Sequence, residues 1–180
     1  MRERDGLPDF EQVVLPHLAA AYNLARWLLR NDHDAEDVVQ EAMIRAFRFF
    51  DGFSGTNPRG WLLTVVRNSA YTFLRQNRAR ELDTEFDEDL HTRPASNGHT
   101  SEMPEVLLRA SQQRLLNDAV EALPVEFREV FVLREMEGLS YKEIADVGRI
   151  PVGTVMSRLS RARRKLQAAV GRHEQARSAP

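Results

Sequence analysis

Residues 81–105, ELDTEFDEDLHTRPASNGHTSEMPE, interrupt a chain that is otherwise patterned for helices. The stretch carries Glu81, Asp83, Glu85, Asp87, Glu88, Asp89, Glu102 and Glu105 against Arg93 as its only full positive charge. Pro94, Gly98 and Pro104 break any remaining periodicity. So little apolar surface cannot offset the entropy of ordering the backbone, and the stretch reads as a flexible acidic linker. The fold class that follows is all-α, with two small helical domains at 9–80 and 106–170. Hydrophobic residues make up 42% of the 180 residues, enough for two packed cores.

In the first domain, Val14, Leu18, Ala21, Ala25 and Leu28 recur at helical spacing and predict one helix over about 11–30, ended by Asn31-Asp32. Asp34 is the expected N-cap of the next helix, with Asp37 at the reach-back position. Val38, Ala42, Ala46 and Phe49 form its expected buried stripe. DGFSGTNPRG, 51–60, is a turn, and Pro58 suits the first turn of a third helix over about 58–79. Trp61, Phe49, Phe50 and Phe53 are expected in the core.

The second domain reads as four helices. The first covers 111–123, stopped by Pro124, and the second covers 125–138, with Gly138 at its end. The third, 140–147, opens on a Ser140…Glu143 capping box, and the fourth starts at Pro151 after a short turn. Short helix, tight turn, long helix is a helix-turn-helix arrangement. With Val155 inward, Leu159, Ala162 and Leu166 share its face, while Ser157, Ser160, Arg161 and Arg164 lie opposite, with Thr154 beside them. Arg158, Arg163 and Lys165 add charge to the same segment. Arginine reads guanine edges with two hydrogen bonds, and small hydroxyls bond bases or phosphates. Arg163 and Lys165 are better placed for phosphates. A basic helix with such a front points to nucleic acid, although the formal net charge is −2.

Other classes find little support. No cysteine is present, which removes disulfides, thiolate metal sites and a cysteine nucleophile. The five histidines, His17, His33, His91, His99 and His173, are scattered, and no HExxH, phosphate loop or nucleophile elbow occurs. Neither enzymatic activity, a metal nor a cofactor is expected. The N-terminus lacks a signal-like apolar run and no stretch is long enough to span a bilayer, so a cytoplasmic protein without membrane insertion is expected.

LPVEFREVFVLREMEGLSYKEIADVGRIPVGTVMSRLSRARRKL, 123–166, resembles region 4 of bacterial RNA polymerase sigma factors of the extracytoplasmic-function group. DAEDVVQEAMIRAFRFFDGF and NPRGWLLTVVRNSAYTFLR, within 34–75, resemble their region 2. The resemblance implies an alternative sigma factor. Region 2 would occupy 9–80 and region 4 106–170. It places polymerase docking, on the largest clamp subunit, at Asp34, Asp37, Gln40 and Glu41, and implies a contact with the polymerase flap. It places the −10 element at Arg59, Arg67, Asn68 and Arg75, with Asn68 against a flipped base, Arg78 and Arg80 adding charge, and Trp61 and Tyr71 as stacking candidates. The −35 element falls to Arg149, Thr154, Ser157, Arg158, Ser160 and Arg161. Promoter DNA, core RNA polymerase and an anti-sigma factor are the implied partners. Arg149 stands where the family often has glycine, so an unusual backbone angle is expected there. The other reading, a stand-alone helix-turn-helix regulator, leaves the 9–80 domain unexplained.

Overall fold

The computed structural model describes residues 10–53, 55–83 and 104–178. Among them the secondary structure is helical throughout, without strands. The acidic stretch expected to be a linker is mostly outside the described residues. The helices on either side run further into it than periodicity suggests, to Asp83 and from Pro104.

The N-terminal unit is built from α1 (Phe10–Val14), α2 (Leu18–Leu29), α3 (Asp32–Phe49) and α4 (Pro58–Asp83). The single helix expected over 11–30 is divided by a 3₁₀ turn at Leu15–His17. Pro16 has no amide to donate, so the α ladder cannot run through it. The turn shifts the helical phase. Leu18 is therefore 36% exposed, while Ala21, Leu24, Ala25 and Leu28 are buried. Arg30 closes α2 in the left-handed region, φ 58°. Asn31 then starts α3 rather than merely ending α2: it is extended, and its Oδ1 accepts from the Asp34 amide at 3.0 Å. Asn31, not Asp34, is the cap, and Asp34 sits in the first turn.

Val38, Ala42 and Ala46 pack inward as expected, against Leu62, Leu63, Val66 and Ala70 of α4. Phe49 does not; it is 69% exposed. The α3 ladder ends at Phe49 and gives way to a 3₁₀ turn, so Phe50 takes the inward place, edge-on to Phe10 at 5.2 Å and beside Trp61. Asn57 caps α4 by accepting from the Gly60 amide at 2.9 Å, with Pro58 at the first helical position.

The C-terminal unit comprises α5 (Pro104–Glu121), α6 (Val125–Phe131), a π-helical turn at Val132–Met136, α7 (Tyr141–Gly148) and α8 (Val152–Ser178). Arg128 of α6 is buried, and its guanidinium donates to three carbonyls. These are Glu121 at 2.5 Å, Leu123 at 3.1 Å and Leu28, in the other unit, at 3.1 Å. Burial, and then the nearby Arg30 charge, lower its pKa to about 10. Ser140 and Glu143 form the full capping box. The Ser140 amide holds the Glu143 carboxyl below the usual carboxylate range.

Arg149 carries the unusual angle that its replacement of glycine implies: φ 50°, ψ 47°. Gly148 is glycine for a different reason, close approach. A Cβ there would stand 3.3 Å from Ile150 Cγ1. The Ile150 amide returns to the Ala145 carbonyl at 3.1 Å, which satisfies the end of α7 and aims α8 away from it.

The two units meet directly. α4 packs on α7 and α2 on α6, so that Leu24, Leu28 and Val66 share one apolar cluster with Val130, Leu139 and Ile144.

Candidate nucleic-acid interface

The fourth helix of the second domain is divided as the heptad-like stripe requires. Val155, Leu159, Ala162 and Leu166 are buried, and Ser157, Ser160, Arg161 and Arg164 are exposed on the other side. Thr154 is half-buried, its carbonyl accepting from the Ser157 hydroxyl at 3.0 Å. Pro151 precedes α8 and its carbonyl accepts the first helical amide bonds, so the turn and the helix start fall where the sequence puts them. Arg149 is exposed at that turn. Arg158 is half-buried and near enough to Tyr71 of α4 for its charge to act on that phenol. Arg163 does not face solvent alone, because it pairs with Glu135 at 2.6 Å. Beside this face, α5 and α8 form a groove of about 530 Å³ whose floor includes Leu123 and Phe127 and whose rim is Arg161, Arg164, Lys165 and Arg172.

The loop before α4 shapes a second site. Phe53 lies 5.0 Å from Trp61, centroid to centroid, and Phe50 stacks on Phe53 at 6.0 Å. Trp61 is thus a partly buried wall, as expected of a core residue, rather than an open stacking platform. With Gly52, Thr56, Asn57, Gly60 and Thr64 it lines a cleft of about 280 Å³, and the far wall is Glu143, Asp146 and Val147 of α7. Along α4, Asn68 and Arg75 are exposed. Arg59 and Arg67 are engaged: Arg59 pairs with Glu137 at 2.6 Å, and Arg67 pairs with Glu129. Burial disfavours the charge on Arg67, but the hydrogen bond and charge of Glu129 outweigh it and raise the pKa. The Arg67 guanidinium also lies over the Tyr71 ring, 4.4 Å from its centroid. Tyr71 is therefore sandwiched in the junction and is not available for stacking on a base in this state.

The acidic face of α3 keeps its polar residues outward. Asp37, Gln40 and Glu41 are exposed, Asp34 is half-buried, and Val38 and Ala42 are buried beneath them. Glu41 pairs with Arg45 one turn on. The sequence reading missed how this surface continues. Ile44 is 56% exposed and Phe47 64%, at two successive three-residue steps from Glu41. That spacing, 37–41–44–47, was the available signal, but apolar residues on an amphipathic helix are assigned inward by default.

The described geometry can be set beside known proteins. The sigma-70 region 2 family model matches residues 13–80, and the sigma-70 region 4 model matches 113–166. An ECF RNA polymerase sigma factor SigE of Mycolicibacterium smegmatis is 34% identical over 172 residues, covering 95% of this chain; the chain spans 65% of that relative's length. The ECF RNA polymerase sigma-E factor of Escherichia coli K12 is 38% identical over 134 residues, covering 72% of this chain and 70% of the relative. Among solved structures, the sigma factor RpoE of Bartonella quintana, crystallised with the anti-sigma factor NepR, superposes with a TM-score of 0.72. It is 30% identical, with 92% of this chain and 98% of that one covered. CnrH, solved with the cytosolic domain of CnrY, gives a TM-score of 0.60 at 28% identity, with 90% and 87% covered. One helical unit matches region 2, the other matches region 4, and relatives of this kind cover both together, so the chain belongs to the ECF RNA polymerase sigma factors.

Proposed function

We propose that the chain joins core RNA polymerase through the outer face of α3, reads the −35 element with α8, and opens and holds the −10 element with the loop and helix around Asn57–Arg75. The observation that carries this is the division of α8. A wholly apolar back, Val155 to Leu166, fixes the helix to its own domain, and the opposite side presents Ser157, Ser160 and Arg161 to solvent. A major groove accepts a helix so dressed. The second module supports the sigma reading over a stand-alone regulator, which would have no use for a loop cleft lined by Asn57, Trp61 and Thr64 or for an exposed Gln40-Glu41 face.

On α3, Ile44 and Phe47 extend the docking surface assigned to Asp34, Asp37, Gln40 and Glu41. Apolar anchors at the centre of a polar rim supply most of the energy in such contacts. Region 4 supplies the contact to the polymerase flap. The RpoE relative was captured with an anti-sigma factor, and this chain takes a partner of that class.

Run-off transcription tests the proposal. Core polymerase supplemented with the purified chain initiates from a distinct subset of a promoter library, and that subset defines a −35/−10 pair. A chain that binds duplex DNA tightly by itself but leaves the start sites of the core enzyme unchanged is a stand-alone regulator instead.

A further inference from the structure

Two of the residues assigned to the −10 strand are already bonded, and their partners are carboxylates of region 4. Arg59 Nη2 donates to Glu137 Oε2 at 2.6 Å, and Asn23 Nδ2 donates to Glu137 Oε1 at 2.5 Å. Arg67 Nε donates to Glu129 Oε1, and the Tyr71 hydroxyl donates to Glu129 Oε2 at 2.6 Å. Glu129 is 1% exposed and the Glu137 side chain 9%. On α7, Glu143 and Asp146 wall the cleft in front of the loop that begins α4.

We propose that regions 2 and 4 of the free chain form a self-inhibiting latch, in which Glu129 and Glu137 hold the guanidinium groups that a −10 strand requires while α7 stands across the base-holding loop. The inference rests on the −10 assignment of the proposed function. Carboxylate and phosphate oxygens make the same charge-assisted bonds to a guanidinium, so one excludes the other. A site filled in this way binds DNA only through its open fraction, and the apparent affinity falls by that factor. Opening returns Glu129 and Arg67 to water. Their hydration therefore offsets most of the attraction they enjoy in the junction, and the balance is set within reach of a single substitution. The latch residues lie on α2, α4, α6 and at Glu137, which follows the π-helical turn, whereas the docking stripe lies on α3, which leaves the polymerase a way onto the closed chain.

The experiment uses the full chain. It contains no cysteine, so Glu36→Cys on α3 and Gln167→Cys on α8, both exposed positions, take a fluorescent donor–acceptor pair cleanly. Two latch variants are made, Asn23→Asp, which sets a carboxylate against Glu137, and Glu129→Gln. Asn23→Asp keeps the test decisive if the buried substitution impairs folding, and far-ultraviolet circular dichroism checks each. Opening appears as lower energy transfer. Affinity for a random-sequence single-stranded DNA pool then rises about tenfold, as when an open fraction near 10% approaches unity.

Unchanged transfer in the folded variants overturns the latch. Lower transfer with unchanged strand affinity, in an opened chain whose affinity still drops on Arg59→Ala, overturns the masking. An opened chain whose strand binding ignores Arg59→Ala overturns the −10 assignment itself, and the masking with it, while the transfer change still establishes the contact.

Discussion

Tyr71 of region 2 donates its phenolic proton to Glu129 of region 4 at 2.6 Å, and both side chains are withdrawn from solvent. Glu129 thus has a neutral donor on one oxygen and the Arg67 guanidinium on the other. A charge this deeply buried is tolerated because both oxygens are satisfied. The two partners that make it tolerable come from a different domain.

Replacing Tyr71 by Phe removes one donor and keeps the ring under Arg67. A hydrogen bond to a charged group contributes about 1.5–3 kcal/mol. The loss falls on domain docking more than on region 2 itself, whose packing is unaltered. Denaturant unfolding of Tyr71→Phe, Glu129→Gln and the double variant gives the coupling, which is expected to exceed about 1 kcal/mol. Burial, with the Glu129 charge behind it, raises the Tyr71 pKa well above its ordinary value of 10.0. The unfolded chain therefore releases this proton first as pH climbs. Stability holds below pH 10 and declines above it, by at most about 1.4 kcal/mol per pH unit for this one group. In Tyr71→Phe that alkaline slope becomes shallower.

Arg149 holds φ 50° at the end of α7, where the left-handed region costs a non-glycine residue about 1–2 kcal/mol. Glycine relieves the strain and adds some unfolded-state entropy. Arg149→Gly is therefore expected to raise stability by about 0.5–1 kcal/mol. The same change removes an exposed cation beside the turn and weakens binding to duplex DNA. Thermal melting and a DNA titration on one sample would read the two effects with opposite signs. Lower thermal stability in the glycine variant would mean that Arg149 makes a contact outweighing its strain.

Phe47 is 64% exposed and meets Phe10 edge-on at 5.3 Å. Its truncation to Ala should shift folding stability by less than about 1 kcal/mol, as for other surface positions. If it anchors the polymerase contact, the affinity for core enzyme drops by about 2 kcal/mol, roughly thirtyfold. Phe49, more exposed still at 69%, gives the comparison on the neighbouring surface. Equal and negligible losses for both would remove the apolar extension of the docking face.

Much of this arrangement is legible from local pattern. The buried stripe of α8 and the Ser140–Glu143 box each depend on residues within a turn or two of one another, whereas the left-handed Arg149 is implied by the family resemblance. The failures have local causes too. Pro16 re-phased the first helix and turned Leu18 outward, the single extended residue Asn31 served as the cap, and Phe50 displaced Phe49 from the core when the α3 ladder tightened. The junction is different in kind. In VEFREVF, nothing nearby in sequence reveals Leu28, Arg67 or Tyr71 as partners of Arg128 and Glu129. Periodicity assigns faces within one helix; it has no means of showing that the polar face of one domain is the lid of another.

The cations of α8 divide by what already holds them. Arg163 is paired with Glu135, both about half exposed, and a pair of that kind is worth at most about 1 kcal/mol. Its guanidinium can exchange Glu135 for a phosphate at little cost. Arg161 lies on the front with Ser157 and Ser160, where base edges would be met. Arg161→Ala is thus expected to cost about 1–3 kcal/mol on the cognate −35 duplex and much less on a scrambled one. Arg163→Ala should weaken both duplexes alike and flatten the dependence of log affinity on log salt by about one unit. Titrations of the polymerase holoenzyme at several salt concentrations separate the two. If Arg161→Ala lowers cognate and scrambled affinity equally, α8 holds DNA there by its backbone alone, and specificity for −35 must come from elsewhere on the helix.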